Sequence, residues 1–173
     1  MNEIPVLAAG ELVVLQTPPL EVMTMIVTRL ALSGPLCVLD AGNRYDAHGV
    51  ARLARRHTVE LEQALSRIHI ARAFTCYQVV ALFEQSPDAT VPHIVFDLTT
   101  TFEDESVRHG ESYRLLGLVL DHVQRLRRTA PVVISLRPLR NDRRLELQRT
   151  VTGLADRVFA WESEPVITQP GLF

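Results

Sequence analysis

The sequence predicts an α/β domain built on a doubly wound, mostly parallel sheet. Three observations predict it. Short apolar runs such as Ile94-Val95-Phe96 and Val132-Val133-Ile134 are continuous, as in strands buried on both faces. Longer stretches between them carry apolar residues at helical spacing. The two kinds alternate from residue 11 to residue 161 without an internal repeat, the pattern of βαβ units.

In order, the first strand is expected at 11–15. Thr17 reads as an N-cap with Pro18 at the first helical position. The helix that follows has Leu20, Met23, Val27 and Leu30 on one face and stops at Ser33-Gly34-Pro35. Strand two covers 36–39 and ends at Asp40. An amphipathic helix at 47–56 buries Val50, Leu53 and Ala54 and exposes Arg52, Arg55 and Arg56, with further helical turns at 59–65. Strand three, 67–71, sets Ile68 and Ile70 on one face. Helix 75–85 leads to strand four, 93–97. A long helix at 112–128 has Leu115, Leu116, Val119, Leu120, Val123 and Leu126 as its apolar stripe. Strand five at 132–135, helix 143–154 and a last strand at 157–161 complete one domain, 1–161. Residues 162–173 read as an irregular C-terminal tail.

The bulk numbers exclude several chemistries. The chain has 173 residues, 47% hydrophobic and 22% charged, enough for one substantial core. Its net charge of −2 leaves nucleic-acid binding to the distribution of charge. All 18 basic residues are arginine, so a phosphate-loop lysine, a Schiff base and a catalytic lysine are excluded. Cys37 and Cys76 make no disulfide framework, and a reducing, cytoplasmic location is expected. The first five residues lack a basic segment, so no secretory signal is expected. The apolar run 22–36 is interrupted by Thr24, Thr28, Arg29 and Ser33 and is too short to span a bilayer, so no membrane partner is expected.

Two carboxylates draw attention. Asp40 and Asp97 each close an apolar strand, and the carboxyl ends of strands are where open α/β sheets bind ligands. Three blocks surround them: Leu36 to Asp40 with Asn43-Arg44-Tyr45-Asp46 and 51–56; Ile70-Ala71-Arg72-Ala73-Phe74-Thr75; and His93 to Thr100, followed by the long helix and Val132 to Ser135. In order and spacing these blocks resemble the RecA-like ATPase core of the strand-exchange recombinases and their small paralogues, over residues 11–161. The resemblance implies a RecA-like three-layer sandwich in which strand four is the Walker B strand. Asp40, Arg44, Asp97 and Thr99 would be what is left of a nucleotide and Mg²⁺ site.

The departures decide the functional expectation. The phosphate loop should join strand one to the first helix, yet that join is Gln16-Thr17-Pro18-Pro19-Leu20-Glu21, without glycine or lysine. Two prolines remove two N–H donors, and Glu21 brings negative charge to a helix start that would receive phosphate. The family's water-activating glutamate falls on Gly42, or on Ala41 with a slip of one. The expectation is therefore a pseudo-ATPase with no cofactor; the alternative is an atypical ATPase that takes ATP and Mg²⁺ at Asp40, Arg44 and Asp97.

The loop after strand five holds Arg137, Arg140, Arg143 and Arg144, a candidate contact for DNA phosphates, with no aromatic among them to stack on a base. Asp142 and Glu146 offer these arginines intramolecular partners instead. The loop at 102–111 is acidic, with Glu103, Asp104, Glu105 and Glu111, which opposes a continuous DNA groove. Six scattered histidines show no zinc spacing, and no metal site is expected. The sequence closes on Gln169-Pro170-Gly171-Leu172-Phe173, similar to the Gln-x-x-Leu-Phe peptide with which bacterial polymerases and repair proteins dock on the sliding clamp. Gln169 would hydrogen-bond at the pocket rim, and Leu172 and Phe173 would fill it.

These features together predict a non-catalytic RecA-like accessory protein of bacterial DNA repair, recombination or translesion synthesis. Its expected partners are a sliding clamp, a repair polymerase or a RecA-family ATPase, with DNA as a further contact. A regulator that caps a genuine RecA-like ATPase through its sheet edge is the other protein-binding alternative.

Overall fold

The computed structural model describes residues 6–140 and 142–162. Alternation of strand and helix is realised as a six-stranded, all-parallel sheet with helices on both faces. The strands are β1 (Leu12–Gln16), β2 (Leu36–Asp40), β3 (Ile68–Arg72), β4 (His93–Phe96), β5 (Val132–Leu136) and β6 (Arg157–Ala160), in the order β3-β2-β4-β5-β1-β6. The helices are α1 (Leu20–Ser33), α2 (Ala47–Ala54), α3 (Leu61–Ser66), α4 (Cys76–Gln85), α5 (His109–Arg127) and α6 (Leu145–Gly153).

The continuous apolar runs become strands whose successive side chains enter different layers. Val13, Leu15, Val38, Ile94, Phe96 and Val133 pack against Met23, Ile26, Val27 and Ala31 of α1 and Val50 of α2. Leu12, Val14, Leu39, Val95, Val132 and Ile134 pack against α4, α5 and α6 through Val79, Phe83, Leu116, Val119, Leu126 and Val151. Both faces of the sheet are thus covered along its centre, as an all-parallel sheet requires.

Several expected boundaries move, for physical reasons. Thr17 is not an N-cap. The helix starts at Leu20, its N-cap is Pro19, and no side chain caps it. Thr17 instead takes a positive φ of 53°, and its hydroxyl donates to the Trp161 carbonyl at 2.5 Å. Val59 lies outside α3 and is almost wholly exposed. The long helix α5 begins at His109, three residues earlier than its apolar stripe indicates. The segment expected as helix from 143 opens with a 3₁₀ turn at Asp142–Arg144 and becomes α-helical at Leu145. A second 3₁₀ turn, Thr100–Glu103, lies where only loop was expected. Among the described residues no helix is long and apolar enough to cross a membrane.

One core residue breaks the polar rule. His93 is fully buried at the start of β4, and neither ring nitrogen has a hydrogen-bond partner. Burial holds its pKa below the ordinary histidine value; Arg125 adds to this, and the Val91 carbonyl offsets it only in part. The unfolded chain therefore binds the proton first. Stability present above about pH 6.5 is lost as the pH falls toward the lower folded value. His93→Leu is expected to be neutral or stabilising at pH 7, because it removes a buried unsatisfied group. Chemical denaturation between pH 5 and 8 should show a flatter pH dependence for the variant.

Candidate functional site

The site follows from topology. The chain after β2 goes to helices on one face of the sheet, and the chain after β4 goes to a helix on the other. These strands are neighbours, so their carboxyl ends border a crevice of the kind in which open α/β sheets bind ligands. Asp40 and Asp97 stand there, and both are fully buried. A second such divergence lies between β5 and β1, whose following helices α6 and α1 also take opposite faces. The turn Thr17-Pro18-Pro19 and Arg137 stand at this one.

Three residues at this rim have positive φ without being glycine: Thr17 at 53°, Asn43 at 53° and Asp97 at 50°. Each follows a different strand of the sheet. Asn and Asp tolerate this region, whereas a β-branched threonine does so rarely. Backbone of this kind persists only where the surroundings impose it. Here the Thr17 N–H donates to the Leu136 carbonyl at 2.8 Å while the hydroxyl holds Trp161.

Each carboxylate is saturated by the protein itself. Asp40 accepts from the backbone N–H of Arg44 at 2.9 Å and of Tyr45 at 3.1 Å, and from Arg72 Nε at 2.9 Å. It therefore fixes the loop after β2 and the end of β3. Asp97 Oδ1 accepts from the Ser135 hydroxyl at 2.8 Å and lies 3.5 Å from Arg44 Nη1. Asp97 Oδ2 accepts from Arg137 Nε at 2.7 Å. Ser135 Oγ also accepts the Asp97 N–H at 2.8 Å. A buried carboxylate is tolerable because two guanidinium groups neutralise it.

The junction where a phosphate loop would lie is closed in the same way. Arg44 Nη2 donates to the Pro18 carbonyl at 3.3 Å, and the Pro19 carbonyl takes the N–H groups of Val22 and Met23. Arg44 thus ties the loop after β2 both to Asp97 and to the β1–α1 turn. A cleft of about 540 Å³ remains beside it, lined by Thr17, Pro18, Pro19, Arg44, Arg137, Pro138 and Glu162.

Gly42 explains why the position expected for a glutamate has no side chain. A Cβ there would lie well inside 3.0 Å of the Asp97 Cβ, and 3.3 Å from both the Asp97 carbonyl and Oδ2. The loop after β2 runs against Asp97 so closely that only glycine fits.

A separate cleft of about 470 Å³ opens on the other side of this loop, between Gly42, Asn43, Phe74, Thr101, Glu103 and Arg140. Burial pushes the Glu103 carboxyl up from its usual range, and the Arg140 N–H offsets this in part. Asp104 and Glu105 also line it, so the cleft presents carboxylates to any anion. Thr99 is buried beneath, 3.4 Å from Gln148 Nε2, and does not face this space.

The four loop arginines separate. Arg137 is spent on Asp97. Arg144 is a correction to the expected DNA-contacting set, because it is buried and turned inward. Its guanidinium donates to the carbonyls of Phe102, Asp104 and Val107 and to the Ser112 hydroxyl, at 2.5 to 3.1 Å. It thereby holds the acidic loop down and is out of reach of any DNA. Arg140 and Arg143 stay exposed. Gln169, Leu172 and Phe173 lie outside the described residues.

Sequence reading missed Ser135, Arg72 and the Pro18 carbonyl as parts of the site. Ser135 alone had a signal: a hydroxyl inside a buried apolar strand needs a partner. Among the described residues no group of three or more His, Cys, Asp or Glu side chains could hold a metal ion. A Mg²⁺ at Asp97 would have to displace a guanidinium, so the residues present do not fit the Mg²⁺-nucleotide that the RecA-like resemblance implies. Burial also raises the pKa of Cys37 and Cys76, which makes both poor nucleophiles. No family model matches the chain.

Proposed function

We propose that the protein is a non-catalytic, RecA-like accessory protein of bacterial DNA repair and damage-tolerant replication, acting by binding protein partners. One observation carries the absence of catalysis: the chain's own Arg44 and Arg137 neutralise Asp97, and Arg44 also bonds the Pro18 carbonyl where phosphate would sit. The RecA-like reading rests on the order of its three sequence blocks and agrees with a parallel sheet that sets Asp40 and Asp97 on neighbouring strand ends.

The partner reading rests on Gln169, Leu172 and Phe173, which match a clamp-docking peptide. Arg140 and Arg143 are the exposed remainder of the basic loop and serve as a secondary contact to partner or DNA. Purified bacterial sliding clamp is expected to bind the full chain with micromolar or tighter affinity, about −8 kcal/mol. Changing Leu172 and Phe173 together to alanine should abolish binding and leave the melting temperature unchanged. Titration calorimetry checks this, and an intact chain that fails to bind clamp contradicts it.

A further inference from the structure

The outer side of α2 carries charge that the fold does not use. The helix buries Gly49, Val50 and Ala54. His48, Arg52, Arg55 and Arg56 are all exposed, and their spacings of three and four residues set them on one stripe. The Arg55 N–H donates to the Ala51 carbonyl at 3.0 Å, so the helical course continues past Ala54. Arg52 and Arg56 also line a groove of about 510 Å³ against α1, with Leu20, Thr24 and Met25. Arg29 follows Met25 by one helical turn and is exposed as well.

These arginines differ from the others. Arg114, Arg125, Arg127, Arg149 and Arg157 sit in ion pairs with carboxylates. Arg29, Arg52, Arg55 and Arg56 make no ion pair and no side-chain hydrogen bond among the described residues. No carboxylate occurs from residue 47 to residue 59. Glu21 lines the groove, but Asp46 is spent on the Gly49 N–H at 2.9 Å. The chain is −2 overall, yet four free positive charges gather here. The acidic loop packs on the opposite face of the sheet through Phe102 and Val107, whereas Val50 of α2 packs on this one. Like charges three and four residues apart repel, so this stripe weakens its own helix until an anion covers it.

We propose that the outer face of α2, with Arg52, Arg55 and Arg56 at its centre and Arg29 beside it, binds the phosphate backbone of nucleic acid without regard to sequence. Guanidinium groups match phosphate oxygens in pairs. Protein–protein interfaces deplete charge at their core, whereas nucleic-acid interfaces are strongly positive, and this stripe is charged along its length. With no Phe, Tyr or Trp from residue 47 to residue 59, it offers phosphate contacts and no stacking platform for bases. The surface stands apart from the basic loop after β5 and from the C-terminal peptide.

Fluorescence anisotropy of the full chain tests this, with labelled oligo-dT of about 20 nucleotides and a random duplex of the same length as probes. At about 50 mM salt at least one should bind with a dissociation constant of about 100 µM or tighter. The logarithm of affinity should fall with the logarithm of salt at a slope of about −2 to −4, as three or four phosphate contacts give. Arg52→Gln, Arg55→Gln and Arg56→Gln together should weaken binding at least about tenfold and flatten the slope by about 2. The melting temperature should hold, since these side chains support nothing in the fold. Arg108→Gln, Arg128→Gln and Arg149→Gln together change net charge equally and should stay within about twofold of the wild type. Should the α2 triple variant fail to fold, each single variant should still flatten the slope by about 0.7–0.9. Absence of binding to both probes overturns the proposal, as does equal loss in the two triple variants. Poly-glutamate of matched length bound as tightly, with the same dependence on these arginines, overturns it too and makes the face a dock for acidic protein. Sliding-clamp binding should be the same in the wild type and the α2 triple variant, so this proposal and the clamp reading fail separately.

Discussion

Gly42→Ala is expected to destabilise the protein by about 3 kcal/mol, the upper range for forcing an extra methyl into a packed site. The new Cβ would collide with the Cβ of Asp97, which is backbone-anchored and cannot swing aside as the end of a flexible chain would. Asp97 is itself fixed by Ser135 and two arginines. Relief therefore requires moving the loop after β2 away from β4, which disturbs the Arg44 contacts as well. The melting temperature should fall by roughly 6–12 °C. Gly42→Glu, which would place a carboxylate where the RecA-like resemblance expects one, should be at least as destabilising and should create no ATPase activity. Thermal melts of both variants check this, and wild-type stability in either would show that the contact relaxes freely.

Asp97→Asn should cost about 3 kcal/mol, the lower range for removing one partner of a buried ion pair. The lower range applies because Arg44 and Arg137 keep 22% and 35% of their side-chain surface exposed and can turn toward water once released. Asparagine keeps the volume and tolerates the 50° φ, so the loss reports the charge and not the backbone. Adding Arg137→Gln to Asp97→Asn should cost much less than it does in the wild type. A double-mutant cycle by urea denaturation should give a coupling of about 1 kcal/mol or more. Additive losses would mean that Arg137 does not stabilise the buried carboxylate.

These two residues also mark how far the sequence could be read. The order of strands and helices was legible because it rests on local periodicity, which 3.6-residue and continuous apolar runs impose directly. The convergence of Asp40 and Asp97 was legible for a similar reason, since both end buried parallel strands. What saturates them was not. Arg137 lies 40 residues from Asp97 in the chain, and Arg72 lies 32 from Asp40; no local pattern records such pairs. Arg144 misled in the same way. A run of arginines after a strand looks solvated, but the carbonyls of Phe102, Asp104 and Val107 in the acidic loop drew one guanidinium inside. Thr17 followed its neighbours too: helical capping was the locally favourable choice, and the bond to Trp161 at the far end of the domain prevailed.

The most direct test of the central claim is nucleotide binding by the intact chain, read as melting temperature and calorimetric heat with saturating Mg²⁺-ATP. A rim already occupied by Arg44, Arg137 and the Pro18-Pro19 turn predicts no shift in melting temperature, no saturable heat and no phosphate release. A saturable stabilisation that Asp97→Asn abolishes would contradict the account and make the crevice a working nucleotide site.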